Sequence, residues 1–175
     1  MTLPTDRTVF QHAWVVDDLE AAVERWATTM GIGPFFLLDH SGDLVDTMYR
    51  GEPASLSMRL ALAQAGPVQV ELIQPKGDGP NCYRDLVPAG TTGFHHICMW
   101  TQDIDADTAH FAAHGCPAAN TGRVRDSVRF AYYDARDTLG CMVEVMERSD
   151  EVEALFQSIA IAAVGWEGDD PLRTL

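Results

Sequence analysis

"TTGFHHICMW", residues 91–100, is the stretch whose reading decides the fold. It is an apolar run that holds two adjacent histidines. Neighbours on a strand point to opposite faces. His96 would then share one face with Cys98 and Trp100, and His95 the other with Ile97 and Met99. One imidazole can be a packed core residue; the other needs a separate purpose. A second stretch, "VFQHAWVV" at 9–16, has the same build and carries His12.

The segments after the two stretches also match. "DDLEAAVERWATTMG" (17–31) places Leu19, Ala22, Val23 and Trp26 at helical spacing, with an aspartate to cap its start and Gly31 after its end. "SLSMRLALAQ" (55–64) and "PVQVELIQP" (67–75) alternate as strands, and "LVDTMYR" (44–50) is a weaker one. After "GFHHICMWT", the segment "DIDADTAHFAAHGC" (103–116) is a helix ended by Gly115, and "SVRFAYYDA" (127–135) and "CMVEVMER" (141–148) are strands joined by "RDTLG". The chain therefore reads as one unit twice: a strand, a helix, then about three strands. The markers fall in order: His12 with His96, "DDLEAA" with "DIDADT", "MGIGP" with "HGCP", and Glu71 with Glu144. One domain spanning 1–175 is expected, with a first module at 8–75, a linker at 76–92 and a second module at 93–147. Residues 148–175 complete the chain, where "DEVEALFQSIAIAAVG" (150–165) has the apolar side of an amphipathic helix. That helix is expected to pack on the body or on a partner subunit. The tail "WEGDDPLRTL" has no regular pattern.

Composition narrows the function. Of 175 residues, 46% are apolar, enough for a proper core, and the net charge is −14. An acidic chain does not suit nucleic acid, whose binding rests on neutralising phosphates, nor an anionic membrane surface. No apolar run approaches the length of a membrane span, and the first residues lack the pattern of a signal peptide. The four cysteines have no framework spacing, which fits reduced thiols and a cytoplasmic location.

The polar residues of the strands carry the chemistry. In "VQVELIQP", Val70 and Leu72 share one face while Gln69, Glu71 and Ile73 share the other. In "CMVEVMER", Val143 and Val145 face one way while Met142, Glu144 and Met146 face the other. A carboxylate in mid-strand among apolar residues needs a partner or an ion. Singly, a strand histidine is more often a hydrogen-bonded core residue and a strand glutamate more often solvated. As a symmetric set, His12, Glu71, His96 and Glu144 can converge on one divalent ion, and imidazole with carboxylate suits Ni, Co, Zn, Mn or Fe.

These residues resemble the vicinal oxygen chelate superfamily, in the branch holding methylmalonyl-CoA epimerase and glyoxalase I. "QHAWVVDDLEAAVERW", "VELIQP", "GFHHICMW" and "GCMVEVM" look like its landmarks, in order, over about residues 8 to 147. The resemblance implies an α+β fold of two βαβββ modules forming a cupped mixed sheet around a metal site, here with an added C-terminal helix. It implies metal ligands at His12, Glu71, His96 and Glu144. It also implies a metal-dependent isomerase, epimerase or lyase working through a metal-bound enolate of a small carbonyl or acyl-thioester substrate, with a thioester or thiol adduct among the candidates. Glu144 is the catalytic base carried over and Glu71 the second choice. Epimerases carry a further acidic base in the first module, where "SLSMRLAL" offers no carboxylate. The same fold also hosts extradiol-type Fe(II) dioxygenases and non-catalytic binders. A homodimer is expected. Trp14, Arg59, Gln69, Trp100, Arg129 and Tyr133 are the candidates for lining the pocket.

Overall fold

The computed structural model describes residues 8–125 and 127–174. In chain order the elements are β1 (Val9–Val15), α1 (Leu19–Met30), β2 (Phe35–His40), β3 (Leu44–Tyr49), β4 (Glu52–Pro53), β5 (Met58–Ala65), β6 (Val68–Pro75), α2 (Cys82–Leu86), β7 (Gly93–Thr101), α3 (Ile104–Ala113), β8 (Ala118–Val124), β9 (Val128–Ala135), α4 (Arg136–Leu139), β10 (Cys141–Glu147), α5 (Asp150–Ala162) and β11 (Leu172–Thr174). The long helices of the two modules start in the same way. Asp18 accepts from Ala21 N at 2.8 Å, and Asp103 accepts from Ala106 N at 2.9 Å, satisfying backbone donors that the first turn leaves open.

One mixed sheet runs β11-β2-β5-β6-β1-β7-β10-β9-β8-β3-β4. Its middle is two four-stranded halves, β2-β5-β6-β1 and β7-β10-β9-β8, joined where β1 and β7 pair antiparallel. The fold is α+β, and the sheet is cupped. Alternation sorts the apolar residues into three clusters. Met58, Leu60, Leu62, Phe130, Tyr132 and Met142 fill the concave side. Ala61, Val70 and Leu72 pack outward on Leu19 and Val23 of α1. Ala131, Tyr133, Val143 and Val145 pack outward with Ile104 of α3.

Two features depart from the sequence reading, and a third takes one of its two alternatives. The third strand beside β5 and β6 is "FFLLDH", now β2, whereas "LVDTMY" crosses over and pairs with β8 of the other half. Close approach allows that crossing: a Cβ on Gly122 of β8 would sit 3.0 Å from the Thr47 side chain. An ion cluster fixes it, since Arg50 Nη2 reaches Asp85 at 2.7 Å and Asp134 at 2.8 Å. The tail, which lacks a regular pattern, nonetheless forms β11, which pairs in parallel with β2. The Trp166 ring lies against Gly33, where any Cβ would meet it at 2.6 Å. Finally, α5 packs on the body of its own chain: Ile159 is fully buried, and Leu155 and Phe156 pack into the concave cluster. Among the described residues no helix is long and apolar enough to cross a membrane.

Candidate metal centre

Four adjacent strands, β6, β1, β7 and β10, form the floor of the cup. Their registers align Glu71, Ala13, His96 and Met142 in one row, and Gln69, Gln11, Cys98 and Glu144 in the next. Ala13 lies between Glu71 and His96, and its methyl group leaves the space above it open. Glu71 and Glu144 take the inward face predicted from alternation, opposite Val70, Leu72, Val143 and Val145, which pack outward.

The structure brings Glu71, His96 and Glu144 together. One donor atom from each lies within 4.8 Å of the others, and all three residues are buried. His96 Nε2 is 2.9 Å from Glu144 Oε2 and 3.3 Å from Glu71 Oε2. Yet His96 Nε2 and Glu71 Oε2 make no aligned hydrogen bond. Buried polar atoms are nearly always satisfied, so orphaned atoms turned toward a shared point call for a cation. Ligands about 2.1 Å from one ion sit about 3 Å from their neighbours, which is the spacing found. The residues present fit a divalent ion.

His95 sets the chemistry of His96, and the sequence reading misplaces it. Ala13 pairs with His96 but Trp14 pairs with Phe94, so His95 is the extra residue of a β-bulge. The bulge turns His95 away from the face of Ile97 and Met99 and toward α2, where Nε2 meets the Cys82 carbonyl at 3.0 Å. Its Nδ1 lies 2.9 Å from His96 Nδ1. Since Nε2–H donates to Cys82 O, His95 Nδ1 must accept, and His96 must donate from Nδ1. That leaves His96 Nε2 to face the carboxylates with either a proton or an ion. Burial, and then the charge on His96, push the His95 pKa down to about 3, so it stays neutral. Burial alone would lower His96, but Glu144 and Glu71 outweigh it and raise the pKa to about 9. Burial is also the main cause that raises Glu71.

His12 does not join this group, which corrects the four-ligand expectation. It pairs with Ile97 and faces outward, edge-on to the Phe94 ring at 6.2 Å. The inward position belongs to Gln11, whose Nε2 donates to Gln69 Oε1 at 2.6 Å. The reason is phase: a second bulge, at Phe10, shifts β1 by one residue against β7.

A cavity of about 710 Å³ opens above the floor. Glu71 and Glu144 border it, with Gln11, Tyr83 and Tyr132, and His96 lies beneath. None of the six pocket candidates is among its described lining residues. Trp14 packs on Trp26 at 4.8 Å, Arg59 reaches Glu20, and Gln69 accepts from Gln11 through Oε1. Trp100 stacks on Phe10 at 4.3 Å, Arg129 pairs with Asp105, and Tyr133 bonds Thr108 of α3. The sequence reading missed His40, inward on β2, whose Nδ1 lies 2.9 Å from Asp43. It also missed the tyrosine pair, whose hydroxyls are 3.1 Å apart. Strand alternation in "FFLLDH" and "RFAYYDA" was the available signal for His40 and Tyr132, whereas Tyr83 lies on α2.

A family model described as the glyoxalase/bleomycin resistance protein/dioxygenase superfamily matches residues 10–132. Among solved structures, methylmalonyl-CoA epimerase from Mycobacterium tuberculosis is 15% identical, with 86% of this chain and 96% of that one covered and a TM-score of 0.57. A hypothetical protein of Bacillus halodurans C-125 is 13% identical, covering 82% and 95%, at 0.53. A methylmalonyl-CoA epimerase in complex with methylmalonyl-CoA and an ammonium ion is 19% identical, covering 81% and 94%, at 0.50. At these identities the likeness is one of fold. No curated protein matches the sequence.

Proposed function

This chain belongs to the glyoxalase/bleomycin resistance protein/dioxygenase superfamily, and from that premise we propose that it is a metal-dependent isomerase, epimerase or lyase that moves a proton next to the carbonyl of a small carbonyl or acyl-thioester substrate. The observation that carries the reading is the convergence of the buried Glu71, His96 and Glu144 at the floor of the cavity, with Glu71 Oε2 and His96 Nε2 left without a hydrogen-bond partner. Glu71, His96 and Glu144 would hold a divalent ion (Ni, Co, Zn, Mn or Fe), and two carboxylates offset its charge. Such an ion supplies Lewis acidity to a substrate oxygen.

The chain's own residues account for the rest. Glu144 borders the cavity and is the base that takes the α-proton; Glu71 is next in line. Burial raises the pKa of Tyr83 and Tyr132 well above the usual phenol value, so both hydroxyls stay protonated. One proton bridges the pair. The other is free to donate to an oxygen on which charge develops, where a fixed donor is worth most. The apolar walls and α5 limit the water that reaches the floor. One histidine with two carboxylates is a poorer match to dioxygenase chemistry, which uses two histidines and one carboxylate.

The test is α-proton exchange in D₂O by metal-loaded protein, with 2-oxo hemithioacetals and branched acyl thioesters as substrates. Glu144→Gln should keep an oxygen ligand and most of the metal while exchange falls by about 10²–10⁴-fold. Full exchange in that variant moves the base to Glu71. Protein that binds no divalent ion with its ligands intact ends the reading.

A further inference from the structure

Resting on this carbonyl-binding site, we infer that α5 gives the open cup an apolar wall that suits a compact substrate, a carbonyl compound with an aromatic or branched aliphatic body, and that the site turns away nucleotide-bearing thioesters. The helix is built into place rather than appended. Only residues 148 and 149 separate it from β10, and Ser149 caps it by accepting from Val152 N at 3.1 Å. Phe156 lies on the rings of Trp100 at 5.7 Å and Phe10 at 5.9 Å. Beyond the helix, Trp166 seats on Gly33 and β11 pairs with β2, so the chain is tied down on both sides of the mouth.

Val152, Leu155 and Phe156 of α5 face Leu38, Leu60 and Phe130 of the sheet across the chamber. This is a surface for hydrocarbon, with polar groups confined to the floor and the rim. Charge points the same way. Among the described lining residues Arg125 is the only lysine or arginine, against the four carboxylates Asp43, Glu71, Glu144 and Glu151. A divalent ion on the floor would balance Glu71 and Glu144. At the rim the exposed Arg125 guanidinium lies 3.9 Å from the Asp43 carboxylate, so its single charge is set against that of Asp43. Glu151 is left, in a helix turn that also carries Asp150 and Glu153, on a chain of net charge −14. The phosphates of coenzyme A would lie in a field of their own sign, and like-charge juxtaposition selects against a partner.

Titration calorimetry on Ni²⁺-loaded protein decides it, with phenylpyruvate and isobutyryl-CoA as probes. Phenylpyruvate should bind at least about tenfold more tightly. Phe156→Ala should weaken phenylpyruvate by about tenfold through lost apolar contact, with Ni²⁺ content unchanged. Glu151→Lys, at an exposed position in the first turn of α5, should improve isobutyryl-CoA and leave phenylpyruvate alone. Equal or tighter binding of isobutyryl-CoA overturns the inference, as does failure of both probes to bind or indifference of phenylpyruvate to Phe156→Ala. If the protein takes up no Ni²⁺ the metal reading fails, and the same titrations on metal-free protein still rank the two probes.

Discussion

β1 and β7 are the first strands of the two modules, they lie side by side, and they do different work. Each pairs in parallel with the last strand of its own module, and that pairing fixes which residues are equivalent. Glu71 pairs with Ala13, and Glu144 pairs with Cys98. Two residues earlier on each first strand stand Gln11 and His96. Gln11, not His12, is therefore the counterpart of His96. One position carries an imidazole whose Nδ1 is fixed by His95 and whose Nε2 faces two carboxylates. The other carries an amide tied to Gln69. The duplicated frame has been kept, while the donor atoms on it have diverged.

The comparison says that imidazole chemistry belongs to β7 alone, and His96→Ala tests that most severely. It removes the only ring nitrogen among the three grouped ligands. Affinity for a divalent ion should fall by more than the 10–100-fold typical of an outer partner, and α-proton exchange should vanish with it. A chelator-competition titration measures the first. Retained affinity would mean that β1 supplies an equivalent ligand after all.

The pH dependence comes from the same ring. With its pKa raised to about 9 by the two carboxylates, His96 is protonated in metal-free protein at neutral pH. An ion must displace that proton. Metal binding should release about one proton at pH 7, and affinity should climb about tenfold per pH unit until pH 9. Stability has the opposite sign. The pair's contribution is complete below the unfolded pKa of about 6.5 and is lost as pH rises through about 9. Glu71, also raised, adds in the same direction. Calorimetry with chelator should find the Tm falling from pH 7 to pH 9, and added metal should flatten that slope.

His95→Phe sharpens the contrast at the next level. It keeps the ring volume but leaves His96 Nδ1–H and the Cys82 carbonyl without their partner. Metal affinity should drop about 10–100-fold, with about 1–3 kcal/mol of stability lost, read by chelator competition and denaturant unfolding. An unchanged affinity would mean that packing, rather than the His95 contact, orients His96.

The inward glutamates were legible because β6 and β10 run without a bulge, and period-two alternation holds its phase along them. The two first strands each take one extra residue, at Phe10 and at His95. There the same rule loses its phase, so it put His95 on the face of Ile97 and Met99, and the match of His12 to His96 between the repeats fell one residue out of register. The helices were legible from caps and spacing, which are local. The crossing of β3 to β8 and the pairing of β11 with β2 were not, because the half-exposed residues of "LVDTMY" and "LRT" fit an edge on either half. Those pairings are settled by contacts distant in sequence, such as Arg50 with Asp134. The role of α5 as a roof depends likewise on where the tail is anchored.

The smallest effect is the one that decides whether the comparison is drawn in the right register. His12 and Gln11 are neighbours, and only one can face the floor. If the bulge at Phe10 is where the structure has it, His12 contributes an outward edge-on contact with Phe94 and no ligand. His12→Ala should then leave metal affinity unchanged and cost about 1 kcal/mol of stability, the worth of one aromatic contact. Gln11→Ala should cost more, about 1–3 kcal/mol, because it strands the buried Gln69 oxygen. Unfolding in denaturant and chelator competition on both variants give four numbers. Loss of the ion in His12→Ala with none in Gln11→Ala would shift β1 by one residue, return the imidazole to the floor and restore the symmetric four-ligand set that the duplicated sequence suggests. A larger stability loss in Gln11→Ala than in His12→Ala, with metal binding intact in His12→Ala, leaves Gln11 where β1 and β6 place it.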